Sequence, residues 1–366
     1  MSLSGIIARR IREEGPISFR DFMEMALYYP ELGYYATTRD KIGPNGDYYT
    51  TPFITNLFGE ILARQIEEMW RLLGNKEFTI VEYGAGHGSL CHQILNYIST
   101  NTEFYKQVRY CIIEKSPAMR WKEQAVLHEK VTWHESVNCI PGFSGCVLSN
   151  ELVDNFAVHQ VVMDNELMEV FVHYDDGFRE VLLPASQQLK EYFEELNIVL
   201  PKGFRTEVNL QAKEWLCEIS QSMKEGFMIT VDYGMPSSEL YHAKRSAGTI
   251  ACYHQHQVNN DPYWNIGDQD ITAHVNFSAL HTWGTKYGLR SCGYTNQAKF
   301  LHAMGLVNHI RKIEQEGREI THAKMSRINM IHNLLMDMGR KFKVLIQEKC
   351  SQPSTLSGML FSDPIY

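Results

Sequence analysis

The sequence predicts an α/β fold: a parallel sheet with helices on both faces. Two observations carry that expectation. Apolar runs of strand length, Phe78–Tyr83, Val108–Glu114, Val131–Trp133 and Cys146–Ser149, alternate with stretches of helical spacing. The first run also leads straight into a glycine-rich turn, Gly84-Ala85-Gly86-His87-Gly88, and then into the helical pattern SLCHQILNYI. With 44% hydrophobic and 21% charged residues among 366, the chain can bury a substantial core, which excludes a disordered protein.

From the N-terminus, Ser18 and Asp21 form an S-x-x-D capping pattern ahead of FRDFMEMALYY, and Pro30 stops that helix. A loop rich in Gly, Tyr and Thr follows. Thr51 then reads as an N-cap with Pro52 at the first helical position. That helix carries Ile54, Leu57, Phe58, Ile61, Leu62, Ile66, Met69 and Leu73 on one face and ends at Gly74. Residues 1–74 are therefore expected to form a helical cap with a covering loop, and 75–157 the first part of the ligand-binding core. Residues 158–204 read as a β-rich insertion with Asp176-Gly177 as a turn. The core resumes over 205–366: a helix over NLQAKEWLCEISQSM, a strand Phe227–Val231, a loop 233–270 on the substrate side and a helix from Thr272. A short strand near Leu289, a helix over NQAKFLHAMG and a strand Lys341–Gln347 complete it.

Composition narrows the function classes. The balance of 35 Lys and Arg against 43 Asp and Glu, −8 overall, argues against a nucleic-acid partner and leaves room for a cationic one. No run of 18 uncharged apolar residues is present, so no membrane-spanning helix is expected. The eight cysteines form no C-x-x-C pair and read as reduced thiols. His254 and His256 stand two apart in a loop, and no helical histidine pair is spaced for a metal, so none is expected. The first residues lack a secretory apolar region, and Glu13 and Glu14 come early, so the expected location is cytoplasmic. Tyr28, Tyr29, Tyr34, Tyr35, Tyr48 and Tyr49 read as packing of the cap. At least one of Met336 and Met338 is expected to pack on the sheet.

The chemistry gathers at strand ends. Glu82 precedes the glycine turn, whose lack of Cβ atoms lets a cofactor lie against the main chain beside a helix N-terminus. A dinucleotide fingerprint wants G-x-G-x-x-G; Gly84, Gly86 and Gly88 are spaced G-x-G-x-G. A carboxylate two residues before the first glycine suits an ammonium group, which S-adenosylmethionine (SAM) carries. Glu114 ends the next strand, where an acid accepts from both ribose hydroxyls. His134, Glu135 and Ser136 follow the third strand, where an adenine would lie. The fourth ends in Ser149-Asn150-Glu151-Leu152-Val153-Asp154. Asn150 joins the cofactor set. Glu151 and Asp154 are positioned to hold a guanidinium by paired hydrogen bonds, to bind an amine or, for Asp154 above all, to cap the next helix.

These residues resemble the MidA-like class I SAM-dependent methyltransferases, whose mitochondrial members act on respiratory complex I during its assembly. The likeness runs from about Gly15 to Gly305. It includes GDYYTTP at Gly46–Pro52, EYGAGHG at Glu82–Gly88, NELVDNFAV at Asn150–Val158, VDYG at Val231–Gly234, GTIACYHQH at Gly248–His256 and DITAHVNF at Asp270–Phe277. The resemblance implies a Rossmann-like class I methyltransferase sheet, SAM as cofactor and arginine methylation of a protein, by analogy a respiratory-complex subunit. It also implies that Asp47, Thr50 and Thr51 close over the cofactor and that His274 lines the substrate mouth. The chain departs from the family pattern at Ala85 and His87 (usually Pro and Arg), Phe53 (usually Glu), Asn155-Phe156-Ala157 (usually Ala-Leu-Pro) and Asn276 (usually Asp). Phe53 and Asn276 each remove a carboxylate. Three readings stand at this point: a protein methyltransferase with Glu151 and Asp154 as its catalytic pair, a small-molecule O- or N-methyltransferase, and a SAM-binding assembly factor with little turnover. An NAD dehydrogenase is a fourth, weaker one.

Overall fold

The computed structural model describes residues 1–127, 130–315, 321–336 and 338–365. In chain order its elements are α1 (Leu3–Glu14), β1 (Ile17–Ser18), α2 (Phe19–Tyr28), α3 (Thr51–Ile54), α4 (Leu57–Leu72), β2 (Phe78–Tyr83), α5 (Ser89–Ile98), α6 (Thr102–Gln107), β3 (Val108–Ile113), α7 (Pro117–Val126), β4 (Val131–His134) and β5 (Phe143–Asn150). Then come β6 (His159–Met163), β7 (Leu167–Tyr174), β8 (Phe178–Pro184), α8 (Gln187–Glu195), β9 (Arg205–Val208), α9 (Gln211–Ser222), β10 (Met223–Met235) and α10 (Ser237–Leu240). The chain ends with β11 (Ala251–His254), β12 (Gln257–Asn259), β13 (Asp270–Thr272), β14 (Val275–Asn276), α11 (Phe277–Lys286), β15 (Arg290–Asn296), α12 (Gln297–Ala303), α13 (Leu306–Gln315), α14 (His322–Met336), α15 (Met338–Lys341) and β16 (Phe342–Lys349).

The main sheet has the order β15-β16-β10-β5-β2-β3-β4, with β14 beside β10. Strands β10, β5, β2, β3 and β4 pair in parallel, while β16 runs antiparallel to both β10 and β15. The sheet is thus mixed rather than all parallel. Its strands are apolar on both faces because helices cover both. Neighbouring residues point oppositely: Ile80, Ile112, Leu148 and Ile229 pack towards α4 and α5, whereas Val81, Ile113, Val147 and Met228 pack towards α9 and α11. Each such fully buried side chain contributes about 1.5–3 kcal/mol. Among the described residues no helix is long and apolar enough to cross a membrane.

A second sheet, β1-β7-β6-β9 with β8 on β7, joins the expected insertion to the N-terminal cap: β1 pairs with Val172 and Phe171 of β7, and β9 closes the other side. Ser18 both ends β1 and caps α2, accepting from the Asp21 N–H at 3.1 Å, as the capping pattern predicts. The expected long loop 233–270 carries α10 and, with β13, a three-stranded sheet, β12-β11-β13. The helix expected from Thr51 to Leu73 is broken instead: Thr55 is extended, and its hydroxyl accepts from the Leu57 N–H at 3.2 Å, so α3 and α4 are separate. The helix expected from Thr272 starts at Phe277, after β13 and β14. Met338 packs against the core while Met336 is exposed.

The sheet centre depends on close approach. Gly145 (φ +153°) and Gly226 (φ +150°) sit side by side in β5 and β10, and a Cβ on Gly145 would lie 2.0 Å from the Thr79 carbonyl oxygen of β2. Gly145→Ala must therefore push two central strands apart. The expected loss is on the order of 3 kcal/mol, read as a lower urea midpoint with an unchanged slope.

Candidate active site

Neighbours of β2 lie in opposite directions along the order, β3 on one side and β5 on the other, and a crevice opens at the carboxyl ends of such strands. A cavity of about 1100 Å³ fills it. Its walls come from the tips of β2, β3 and β5, from Ser136 after β4, from the cap and from β13. That is ample for a nucleoside cofactor together with an acceptor side chain, since small-ligand pockets run from about 300 to 1,000 Å³.

The glycine turn forms one wall. Gly84, Gly86 and Gly88 all take left-handed φ, +65°, +60° and +73°. Gly84 and Gly86 line the cavity; Gly88 does not, and is instead the N-cap of α5. A Cβ on Gly86 would approach Ile42 of the covering loop to 3.2 Å. Glu82 is buried on the same wall, where the Tyr110 hydroxyl donates to it at 2.7 Å. Burial pushes its pKa up to about 7 against the pull of that hydrogen bond. Glu114 accepts from the Ser116 N–H at 2.6 Å, and burial raises it too. Ser136 lines the cavity, and its hydroxyl accepts from the Asn138 N–H at 3.2 Å. An acid facing a bare-backbone cradle, with a second acid on the adjoining strand tip, fits the ammonium and ribose ends of SAM.

The other side of the cavity is a cluster of acids. Glu151 follows β5 with a left-handed φ of +54°, an unusual conformation for a residue with a side chain. Its Oε1 accepts from Asn150 Nδ2 at 3.2 Å and from the Thr51 N–H at 3.4 Å. Burial, and then the neighbouring Asp232, push its pKa up to about 8. Asp154 is 5% exposed and its Oδ1 has no hydrogen-bond partner. Burial raises its pKa, and so do Asp232, Asp270 and Glu151 in turn. Asp232 supports the turn, accepting from the Leu152 and Val153 amides at 3.1 and 2.8 Å. Burial pushes Asp232 up to about 7.

Several sequence expectations change here. Asp47 is fully buried and lies off the cavity. It accepts from the Tyr34 hydroxyl at 2.7 Å, Arg39 Nη2 at 2.8 Å and the Gln255 N–H at 2.7 Å, latching the covering loop to the β11–β12 turn. His274 lines a separate hollow of about 20 Å³, beside Tyr192 and Glu207, rather than the substrate mouth. Burial lowers its pKa to about 4. Thr50 lines the cavity, whereas Thr51 reaches the site through its backbone amide. Tyr28, Tyr35 and Tyr48 pack on the cap core as expected and also line the cavity, as does Tyr49. Asn276 caps α11, accepting from the Ala279 N–H at 3.1 Å, so its missing carboxylate does not alter the cavity. Phe53 and His87 do line it. Asp232, Asp270, Tyr233 and Tyr253 were missed; the acids within VDYG and DITAHVNF were the available signal.

The buried acids set a pH dependence. Glu82, Asp232 and Asp270 reach about 7, and Glu151 about 8. Each keeps its proton to higher pH folded than unfolded, so the folded state binds more protons and stability falls as pH rises through these values. The partly buried histidines His87, His134, His274 and His281 are lowered by desolvation and act oppositely, but only below their ordinary value of 6.5. The melting temperature of the ligand-free protein should therefore fall between about pH 6.5 and 8, measured by thermal melts across that range. A rise would contradict the assignment.

Known proteins point to the same cofactor. Residues 61–295 match the family described as "Putative S-adenosyl-L-methionine-dependent methyltransferase". The chain is 26% identical over 342 residues to the Drosophila melanogaster "Protein arginine methyltransferase NDUFAF7 homolog, mitochondrial", covering 83% of this chain and 75% of that protein. It is 27% identical over 380 residues to the Bos taurus "Protein arginine methyltransferase NDUFAF7, mitochondrial", covering 92% and 81%. A Burkholderia thailandensis crystal structure bound to S-adenosyl-homocysteine (SAH) superposes with a TM-score of 0.88 at 28% identity, covering 99% of this chain and 95% of that one. With its sheet order, its glycine cradle and a family match over most of its length, the chain belongs to this family of methyltransferases that use S-adenosyl-L-methionine.

Proposed function

We propose that the chain methylates a protein side chain, with an arginine guanidinium as acceptor. The observation that carries this reading is the cluster of Glu151, Asp154, Asp232 and Asp270, in which the charges acting most strongly on Asp154 are acids and its Oδ1 has no partner. Such a cluster favours a ligand that brings its own positive charge and several N–H groups. Arginine does both, because its guanidinium stays charged and presents five donors in a fixed fork. The names of the Drosophila and bovine relatives support the same acceptor.

In this reading Glu82 holds the ammonium, Glu114 the ribose and Ser136 the adenine edge, while Asn150, Thr50 and Thr51 close the cofactor side. When bound, SAM supplies an electrophilic methyl on a positively charged sulfur. Glu151 and Asp154 hold the acceptor nitrogen in line, and the tyrosines of the cap exclude water around it. Holding reacting atoms about 3–3.5 Å apart supplies much of the rate. A guanidinium nitrogen that gains a carbon gives up a proton, and Glu151 is the carboxylate that takes it. Burial raises its proton affinity, and the positive charge of the bound acceptor favours its carboxylate form, so the group is both ionised and basic when the acceptor is in place.

Purified protein and methyl-labelled SAM added together to lysate from a strain lacking this protein, against the same lysate without it, test the reading. Label recovered as methylarginine after protein hydrolysis is the expected result. Label confined to small molecules or to other residues would overturn it.

A further inference from the structure

We infer that Asp270 is a second acceptor-binding carboxylate, held in place by the Tyr35 hydroxyl, so that the guanidinium is gripped from β13 as well as from Asp154. The inference rests on the arginine reading above and names the residue that selects for that acceptor.

Asp270 comes from outside the main sheet, at the start of β13, and stands opposite Tyr253 in the β11–β13 pairing. It is 2% exposed, yet both residues line the cavity. Its carboxylate receives the Tyr35 hydroxyl at 3.0 Å from both oxygens and the Ile271 N–H at 3.0 Å. Those two donors are neutral, and a carboxylate offers about four acceptor sites. The cation that acts on it, Lys41, points its ammonium at the Thr37 carbonyl and hydroxyl and the Arg39 carbonyl instead.

Asp154 provides the independent observation. It is buried, lines the same cavity and has an unpartnered Oδ1. The Ala273 N–H donates to the Asp154 carbonyl at 2.9 Å, tying the end of β13 to the turn that carries Asp154. Two acids on separate elements, linked this way, suit a planar fork that donates to both. Tyr28 and Tyr35, stacked with ring centroids 5.5 Å apart, add an aromatic wall of the kind that receives a guanidinium face.

The test uses the full chain loaded with SAH and two probes, N-acetylarginine amide and its neutral counterpart N-acetylcitrulline amide. Calorimetry should show the arginine probe bound and the citrulline probe at least about tenfold weaker. Asp270→Asn should weaken the arginine probe by about 30-fold or more, and Asp270→Glu should recover part of the loss. SAH affinity should stay within about threefold throughout, because the change leaves Glu82, Glu114 and the glycine turn in place. Tyr35→Phe, which keeps the ring, guards against misfolding of the buried aspartate variant and should weaken the arginine probe by about fivefold. Unchanged arginine binding in Asp270→Asn and Tyr35→Phe would overturn the role of Asp270 and leave the arginine reading standing. No preference of the wild type for arginine over citrulline would overturn both.

Discussion

Glu151→Gln should lower the methyl-transfer rate by about a thousandfold and leave SAH affinity within about threefold. The replacement is nearly isosteric. Its amide oxygen still accepts from the Thr51 N–H, and the left-handed backbone at this position is unaffected. What it removes is the carboxylate that takes the proton from the acceptor nitrogen. It also removes one of the charges acting on Asp154, so the variant should melt no lower than the wild type. Single-turnover rates and SAH calorimetry on one preparation separate chemistry from binding. Turnover at the wild-type rate would exclude Glu151 from the reaction.

Gly86→Val should do the reverse, removing cofactor binding first. At φ +60° a β-branched residue is strained by about 1–3 kcal/mol. Its Cβ would also press on Ile42 at 3.2 Å and stand where the cofactor meets bare backbone. SAH affinity should fall by about 100-fold or more, while far-UV dichroism stays native because the turn lies at the edge of the core. An affinity within about threefold of wild type would mean that the cofactor does not use this turn.

The part of the site that was legible in the sequence is the part made by adjacent residues. A strand, a glycine turn and a helix in immediate succession carry their own spacing, so Glu82, Gly84 and Gly86 stand out without any tertiary knowledge. Glu114 and Glu151 were legible because strand ends in such sheets converge on one crevice. Asp270 was not, because it is brought to the cavity by a small separate sheet whose pairing has no local signature. Asp232 ends an apolar run and reads as strand, yet three backbone amides donate to it. Asp47 and His274 were placed at the site by likeness to a family pattern. The packing of the covering loop and of α11 turned both to other uses. The tyrosines of the cap illustrate the same limit: composition could not say which rings face inward to the core and which face the cavity.

The most direct measurement is a crystal structure of this chain with SAH. The expected result is the Glu114 carboxylate within hydrogen-bond reach of both ribose hydroxyls, Glu82 directed at the amino-acid ammonium, and the sulfur on the side of Glu151. A nucleoside bound elsewhere, or the two glutamates turned away from it, would contradict the account.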